Sequence, residues 1–427
     1  MTENADKLLT SILELGRRLI EYGAEVWLAE DVLRRIFDSY GFKSCDMQVM
    51  SDFIEATVET RENKTRTQIR ETRGKNYDMY KLEQLSDLTE YIIKEKPAPE
   101  YIQKKINEIS KGACYSKPVL YLAAAFSAGN FTMMFNGWRQ DVFLVALFSL
   151  LIVLVKDHLS QKEDNPLITN TLLAYLMEVM VVAALLYGPG RSLTSMTAGL
   201  IMLLIGGLGL TNGMMDLLHR NVLSGLNDFM HSILGAMGIA IGISLALMTF
   251  RQGVMQHVQH QELVQSQVVQ MIATIGGCLG FAVCANCRGR VLIVSGIGAA
   301  LTRTAFVITL DMADGNYFTA TLAAAFFAAL FSYGCGMVRK RPPTIFLTTC
   351  ILPLLPGSQL YLLVYAIIMD DRLSFQENGR SLFLICIAIA LGCIIVEVLF
   401  KYGRMLQLFF CDYFRKKKQK DIINEAD

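Results

Sequence analysis

The sequence predicts an all-α membrane protein of ten transmembrane helices, built as two inverted five-helix repeats behind a small α+β cytoplasmic domain. Three observations predict this fold class. Hydrophobic residues make up 53% of the 427 residues and charged residues only 19%, whereas about a quarter of a soluble chain is charged. Apolar stretches near 20 residues long, enough to cross a bilayer, follow one another after residue 117. Motifs in the first half of that region recur in the second half at one fixed offset.

The N-terminal part, residues 1–117, is predicted to be the cytoplasmic α+β domain. Apolar residues at helical spacing in "LLTSILELGRRLI" and "AEVWLAEDVLRRIF" predict two helices, with Gly23 and Gly41 as their C-terminal caps. The alternation in "FIEATVETRENKTRTQIR" predicts a β-hairpin. Two further helices are expected at about 77–94 and 98–112. The charges of this domain are expected to form a solvated face, with a regulatory or gating role as the alternative.

The remaining chain divides into two groups of five apolar stretches. Residues 118–250 form the first predicted repeat, residues 268–402 the second, and residues 403–427 a basic cytoplasmic tail. The ten predicted spans are 118–137, 140–156, 167–187, 194–216, 229–249, 268–286, 291–310, 317–338, 344–369 and 381–402.

The distribution of charge predicts the orientation. The start, "MTENADKLLT", lacks the basic-then-apolar pattern of a signal peptide, which favours a cytoplasmic N-terminus. An even number of spans returns the C-terminus to the same side, and the tail "RKKKQK" agrees with the positive-inside rule. We therefore expect a multi-pass protein of the cell (inner) membrane with both termini in the cytoplasm.

An internal duplication predicts the inverted arrangement. At an offset of 150 residues, "NFTMMFN" meets "GFAVCAN", which pairs Phe131 with Phe281 and Asn136 with Asn286. The same offset overlays "LLIGGLGL" on "PLLPGSQL". A repeat with an odd number of spans must insert its second copy upside down, as in many secondary transporters.

The overlaid segments carry helix breakers in both repeats. Gly207 falls opposite Gly357, and Pro356 precedes the latter. Proline removes a backbone donor and glycine loosens the helix, and unsatisfied backbone persists in a membrane only where it lines a cavity or is buried in protein. These breaks predict a transport path at the midplane; a kink that only improves helix packing is the alternative.

Two ionisable residues are predicted inside the spans, at similar estimated depth. Glu178 lies in the third span and Arg303 in the seventh, and such residues are costly in lipid and often functional. One interpretation is a salt bridge between them. The other has Arg303 receiving a substrate carboxylate while Glu178 carries a proton or meets an ammonium group. Both can be stages of one transport cycle.

The motifs also resemble a known family. "YGAEVWLAEDVL", "TRTQIRETRGKNYD" and "KRPPTIFLTTCILPLLPGSQLY" resemble the threonine/serine exporter family, and "LIGGLGLTNGMMDLL" is similar to its first Pro-Gly segment. Gly206 and Gly209 stand where the family often has proline. The resemblance implies a cytoplasmic N-terminal domain joined to two five-helix membrane units. It implies export of small polar metabolites, which are threonine and serine in some members and succinate in split two-subunit members.

The candidate site residues follow from the breaks, the repeat and this resemblance. Glu178 and Arg303 are the charge-coupling pair. The predicted substrate path contains Gly207, Thr211, Asn212, Asp216, Pro356, Gly357, Ser358, Gln359, Asn136 and Asn286.

The predicted function is export of threonine- or serine-type amino acids by a proton-coupled secondary transporter. The alternatives are a dicarboxylate (succinate) exporter and a non-transporting receptor that signals through the N-terminal domain. The sequence contains no Walker or H-E-x-x-H motif, so no ATPase or metalloenzyme is expected. "CANC" lacks a second ligand pair, so no metal or other cofactor is predicted. The expected partners are a small amino or carboxylic acid and the lipid bilayer, not nucleic acid; homo-oligomer formation stays open.

Overall fold

The computed structural model covers most of the chain. It describes residues 2–60, 63–72, 74, 76–159, 163, 165–204, 209, 213, 216–217, 221–250, 265–339, 341–356, 359, 362–363, 366–367 and 370–424, and, among these, the side chains of residues 5–400 and 402.

The N-terminal elements, which we call the N-terminal unit, are four helices and a three-stranded sheet. They are α1 (Thr2–Glu21), α2 (Val26–Tyr40), β1 (Ser44–Val49), β2 (Phe53–Glu59), β3 (Thr65–Glu71), α3 (Met79–Glu95) and α4 (Pro99–Lys111).

The sheet is an antiparallel meander in the order β1-β2-β3. The predicted hairpin is confirmed, since Phe53 pairs with Glu71 and Glu59 pairs with Thr65. The first strand, β1, was not predicted; it pairs with the other edge of β2. The predicted helices and their glycine caps are also confirmed, because Gly41 ends α2 at φ 73° and Gly23 follows α1 at φ 102°. Glycine adopts this left-handed conformation without the penalty of a Cβ.

The rest of the chain, where it is described, consists of helices and the segments that join them. The helices are α5 (Lys117–Met134), α6 (Arg139–Leu159), α7 (Pro166–Tyr187), α8 (Leu193–Leu204), α9 (Val222–Thr249), α10 (Gln267–Cys284), α11 (Arg290–Met312), α12 (Tyr317–Arg339), α13 (Thr344–Cys350) and α14 (Arg372–Asn424).

Seven of these helices, within the described part of the chain, have the length and apolar composition that a bilayer crossing requires. They are α6, α7, α9, α10, α11, α12 and the Arg372–Phe400 part of α14. The first predicted span corresponds to α5, which has 18 residues but includes the polar Ser127, Asn130 and Thr132. The fourth and ninth predicted spans correspond to the shorter apolar helices Leu193–Leu204 and Thr344–Leu354.

The break predicted in the ninth span is confirmed. The α-helix α13 ends at Cys350, a 3₁₀ turn covers Leu352–Leu354, and Leu355 is extended with φ −64° and ψ 128°. Pro353 and Pro356 lack the amide hydrogen that would continue the helix, which explains why it stops here.

The helices recur along the chain in the same order. Each helix of the first five begins 150 or 151 residues before its counterpart. The starts are 117 and 267 for α5 and α10, 139 and 290 for α6 and α11, 166 and 317 for α7 and α12, 193 and 344 for α8 and α13, and 222 and 372 for α9 and α14.

The counterpart helices α5 and α10 pack against each other in antiparallel orientation. Leu120 O accepts from the thiol of Cys284, near the start of α5 and the end of α10. At the middle, the hydroxyl of Ser127 donates to Gly277 O at 2.8 Å. Beyond the end of α5, Asn136 contacts Gln270 near the start of α10. Contacts therefore move backward along α10 as they move forward along α5.

Two hydrogen bonds across this helix pair are related by the same 150-residue offset. Tyr115 donates through its hydroxyl to Cys287 O at 3.0 Å. Gln265 donates through Nε2 to Gly137 O at 3.1 Å. Exchanging the two halves of the chain converts one bond into the other, as in an isologous contact with two-fold symmetry. The halves therefore meet through corresponding surfaces.

The N-terminal unit packs against the second half of the chain. Its apolar core is continuous with Ala282, Ala285 and Cys287 at the end of α10 and with Ile345 and Phe346 on α13. Because these residues share one core, the N-terminal unit is attached to the end of α10 and to the helix that leads into the break.

The packing of α5 against α10 depends on glycine. A Cβ on Gly280 would lie 2.9 Å from the backbone of both Ala123 and Ser127, so Gly280→Ala forces the two helices apart. We expect a loss of about 1–3 kcal/mol in the free energy of unfolding, typical of overpacking. Gly334→Ala is the matched control because no atom lies within 4 Å of its added Cβ. It should leave stability unchanged or raise it by about 0.5–1 kcal/mol.

Denaturant titration of the detergent-solubilised protein measures both variants. Equal stabilities for Gly280→Ala and Gly334→Ala would contradict the close approach of α5 and α10.

Candidate functional site

A buried carboxyl group lies in the first half of the helical bundle. Glu178 on α7 has no exposed surface, and its Oε2 accepts a hydrogen bond from the hydroxyl of Thr197 on α8 at 2.8 Å. Its Oε1 is buried with no hydrogen-bond partner among the described residues. A buried, incompletely satisfied carboxylate is costly, so this group favours either protonation or the approach of a cation or donor.

Other buried polar side chains lie on the helices of the same half. The hydroxyl of Ser195 on α8 donates to Phe135 O at 2.6 Å. Gly199 on α8 faces Thr132 of α5 so closely that a Cβ there would lie 2.0 Å from the threonine hydroxyl. Small residues of this kind let membrane helices approach and form polar contacts.

The second half has no counterpart of this carboxyl group. At the 150-residue offset, Glu178 corresponds to Ala328 and Thr132 corresponds to Ala282. Both alanines are buried. The two halves share an architecture but differ in chemistry, because an acid occupies this position in the first half and a buried alanine occupies it in the second.

A cationic group lies in the second half. Arg303 on α11 donates through Nη2 to Oε1 of Gln270 on α10 at 2.6 Å, and Gln270 donates through Nε2 to Oδ1 of Asn136 at 2.8 Å. The Arg303 guanidinium also lies 5.6 Å from the ring centre of Phe306. These contacts form a polar chain from α11 through α10 to the residue that follows α5.

The predicted salt bridge between Glu178 and Arg303 is wrong for this structure. Glu178 contacts Thr197, whereas Arg303 contacts Gln270. The physical reason is helix packing: α7 lies against α6, α8 and α9, while α11 lies against α10, α12 and α13. Similar depth in the membrane therefore does not bring the two side chains together.

The residues predicted to line the path at the breaks are described only in part. Asp216 is buried, Pro356 is half-buried after the 3₁₀ turn, and Gln359 is half-buried in helical backbone. The remaining predicted path residues at the breaks lie outside the described residues: Gly207, Thr211, Asn212, Gly357 and Ser358.

Asn136 and Asn286 occupy corresponding positions just after α5 and α10. Both are left-handed, with φ 67° and 59°, a conformation that asparagine tolerates better than most residues. Asn136 binds Gln270, whereas Asn286 donates through Nδ2 to Asp78 of the N-terminal unit at 3.1 Å. Because α5 and α10 are antiparallel, the two asparagines lie at opposite ends of the helix pair.

The expectation that the charges of the N-terminal unit form a solvated face needs correction where α10 and α13 cover the unit. Glu25 is buried and accepts from the hydroxyl of Thr344, the first residue of α13, at 3.1 Å. Asp78 is buried against Asn286, and this burial raises the pKa of its carboxyl group, while the backbone N–H of Lys81 opposes the rise. Both carboxylates are covered because the N-terminal unit packs on α10 and α13.

Sequence reasoning missed two residues of the candidate site, Thr197 and Gln270. A threonine on an apolar helix carries no distinguishing signal, since its hydroxyl commonly bonds the backbone of its own helix. Gln270 had a usable signal, because an amide side chain at the third residue of a predicted span needs a polar partner where it is buried.

Comparisons with known proteins match two family models to successive parts of the chain. A family model described as "Putative threonine/serine exporter" matches residues 10–250, and one described as "Threonine/Serine exporter, ThrE" matches residues 270–399. A "Probable threonine/serine exporter" of Mycobacterium tuberculosis is 21% identical over 402 residues, which cover 90% of this chain and 74% of that protein. A "Threonine/serine exporter" of Corynebacterium glutamicum is 22% identical over 314 residues, 70% of this chain and 63% of that protein. No solved structure matches the chain.

The fold and these matches define a multi-pass membrane protein of the transporter class and not an enzyme. The chain belongs to the threonine/serine exporter family, whose models together cover most of its length.

The separate contacts of Glu178 and Arg303 predict the outcome of a double-mutant cycle. Glu178→Gln and Arg303→Gln each change one polar contact, so their effects on the free energy of unfolding should add within about 0.5 kcal/mol. Denaturant titration of the two single variants and the double variant in detergent measures this sum. A coupling energy on the order of 1 kcal/mol or more would show that the two side chains interact after all.

Proposed function

We propose that the protein is a secondary transporter of the inverted-repeat type that exports threonine- or serine-type amino acids. The observation that carries this proposal is the antiparallel packing of the counterpart helices α5 and α10, with its two hydrogen bonds related by the 150-residue offset. Inverted repeats that meet through corresponding surfaces provide the two alternative packings that alternating access needs.

We also propose ten membrane spans. Seven are the helices that have the length and hydropathy of a bilayer crossing, and the other three contain α5, α8 and α13. The recurrence of all five helix starts supports this number. The proposed units are a cytoplasmic domain at 1–117, repeats at 118–250 and 268–402, and a cytoplasmic tail at 403–427. The orientation, with both termini in the cytoplasm, rests on the basic residues of the sequence.

The proposed substrate class rests on chemistry and on the names of the relatives. The two relatives are named threonine/serine exporters. A free amino acid carries a carboxylate, and Arg303 offers a guanidinium cation with bidentate capacity for such a group. The broken segment after α13 would supply unpaired backbone groups along the path.

Proton coupling is proposed for Glu178. A buried carboxyl group that has one hydrogen-bond donor and one oxygen without a partner can exist in either protonation state as its surroundings change. Carboxyl groups inside the membrane spans of transporters often belong to proton relays.

Counterflow into proteoliposomes tests the substrate. The reconstituted protein is loaded with unlabelled threonine, serine or succinate, and uptake of the same labelled solute is followed. Threonine or serine counterflow supports the proposed function. Counterflow of succinate alone supports the dicarboxylate alternative. If none of the three solutes shows counterflow, the result supports a non-transporting receptor.

A pH gradient tests the role of Glu178. Glu178→Gln keeps the size of the side chain but cannot carry a proton, so gradient-driven movement of labelled threonine should fall by an order of magnitude or more, while counterflow persists. Glu377→Gln is the matched control because Glu377 is an exposed carboxyl group on α14. Gradient-driven transport at the wild-type rate in Glu178→Gln would refute this proton site.

A further inference from the structure

We infer that Gln270 is a positioning residue that keeps Arg303 available for the carboxylate of the transported solute and links that arginine to the other repeat. This inference rests on the proposed export function and adds to it a residue that holds the anion receptor in place.

The first observation is the kind of partner that Arg303 has. Its Nη2 donates to Gln270 Oε1 at 2.6 Å, and Gln270 is only 8% exposed. The amide is neutral, so it orients the guanidinium without neutralising its charge. None of the ion pairs among the described residues includes Arg303. A half-buried cation without a carboxylate partner favours the binding of an anion.

The second observation is an unused donor on the same guanidinium. The Nε–H of Arg303 is buried and has no acceptor among the described residues, and such a donor costs free energy until it is satisfied. Nε and Nη2 form the edge that binds a carboxylate through two parallel hydrogen bonds. Gln270 occupies one half of that edge and leaves the other half open.

These two observations define a replaceable partner. An incoming carboxylate would bond to Nε–H and displace the glutamine oxygen from Nη2–H, because two charge-assisted hydrogen bonds are stronger than one bond to a neutral amide. A glutamate at this position would pair with Arg303 and compete with the solute, so the solute would displace it only at a higher concentration. Glutamine therefore suits this position, because it holds the Arg303 side chain in place and leaves its guanidinium free to bind the solute carboxylate.

The third observation connects this receptor with the first repeat. Gln270 donates through Nε2 to Asn136 Oδ1, which also accepts from the backbone N–H of Gln265 at 3.1 Å. Asn136 follows α5, whereas Gln265 precedes α10 and Gln270 lies in its first turn. When a solute displaces the Gln270 oxygen from Arg303, the same side chain is still bonded to Asn136 of the first repeat. Solute binding can therefore affect the contact between the repeats.

The test is Gln270→Glu in the full-length reconstituted protein. The new carboxylate should pair with Arg303 and compete with the solute. The half-saturating solute concentration in counterflow should rise about tenfold, equivalent to ~1.4 kcal/mol, while the maximal rate changes little. The probe is whichever of labelled threonine, serine or succinate the wild type transports, since each carries a carboxylate.

The matched control is Gln267→Glu, which makes the same change at an exposed position in the first turn of α10 and should leave both kinetic constants unchanged. Gln270→Asn is the second variant: its side chain is one methylene shorter and cannot bond both Arg303 and Asn136. It should raise the half-saturating concentration without adding charge, and it serves if Gln270→Glu does not fold.

Wild-type half-saturation in a folded Gln270→Glu or Gln270→Asn protein would overturn the inference while leaving the proposed function intact. A wild-type protein without counterflow of any of the three solutes would overturn both.

Discussion

The close antiparallel contact of α5 with α10 is the constraint on which the rest of the structure depends. Gly277 and Gly280 lack side chains where Phe131, Ala123 and Ser127 approach them, so the two backbones come near enough for Ser127 to bond a carbonyl of the facing helix. Small residues provide this approach in membranes, where no hydrophobic force draws helices together. In the first half α6 and α8 pack against α5, and in the second half α11 and α13 pack against α10. The polar chain from Asn136 to Arg303 crosses the same contact.

Local pattern predicted much of the fold. The periodicity of apolar residues predicted the helices and the hairpin, and proline predicted the break at Leu352–Leu354. Both signals can be read from a few neighbouring residues. The partners of Glu178 and Arg303 could not be predicted in this way. Counting residues along a helix estimates depth, but the direction in which a side chain points depends on which helices pack beside it. The strand β1 was missed for a different reason: it forms a local hairpin with β2, but Val49 is the single buried residue of the strand, so its apolar alternation is weak.

The burial of charged residues in the N-terminal unit also could not be predicted from local sequence. The composition of the unit reads as that of a solvated domain, yet Glu25 and Asp78 are buried because other parts of the chain cover them. Their hydrogen bonds to Thr344 and Asn286 attach the unit to the start of the broken helix and to the end of α10. Any movement of α13 relative to α10 must therefore either carry the N-terminal unit along or break these buried bonds.

The central claim is that the two halves are inverted in the membrane, and one labelling measurement tests it most directly. Ser116 and Ser266 immediately precede α5 and α10, are exposed, and correspond at the 150-residue offset. Each is changed singly to cysteine in a cysteine-free background and treated with a membrane-impermeant maleimide before and after permeabilisation. If the two halves are inverted, Ser266→Cys is labelled in intact cells and Ser116→Cys only after permeabilisation. Labelling of both positions from the same side would contradict the inversion.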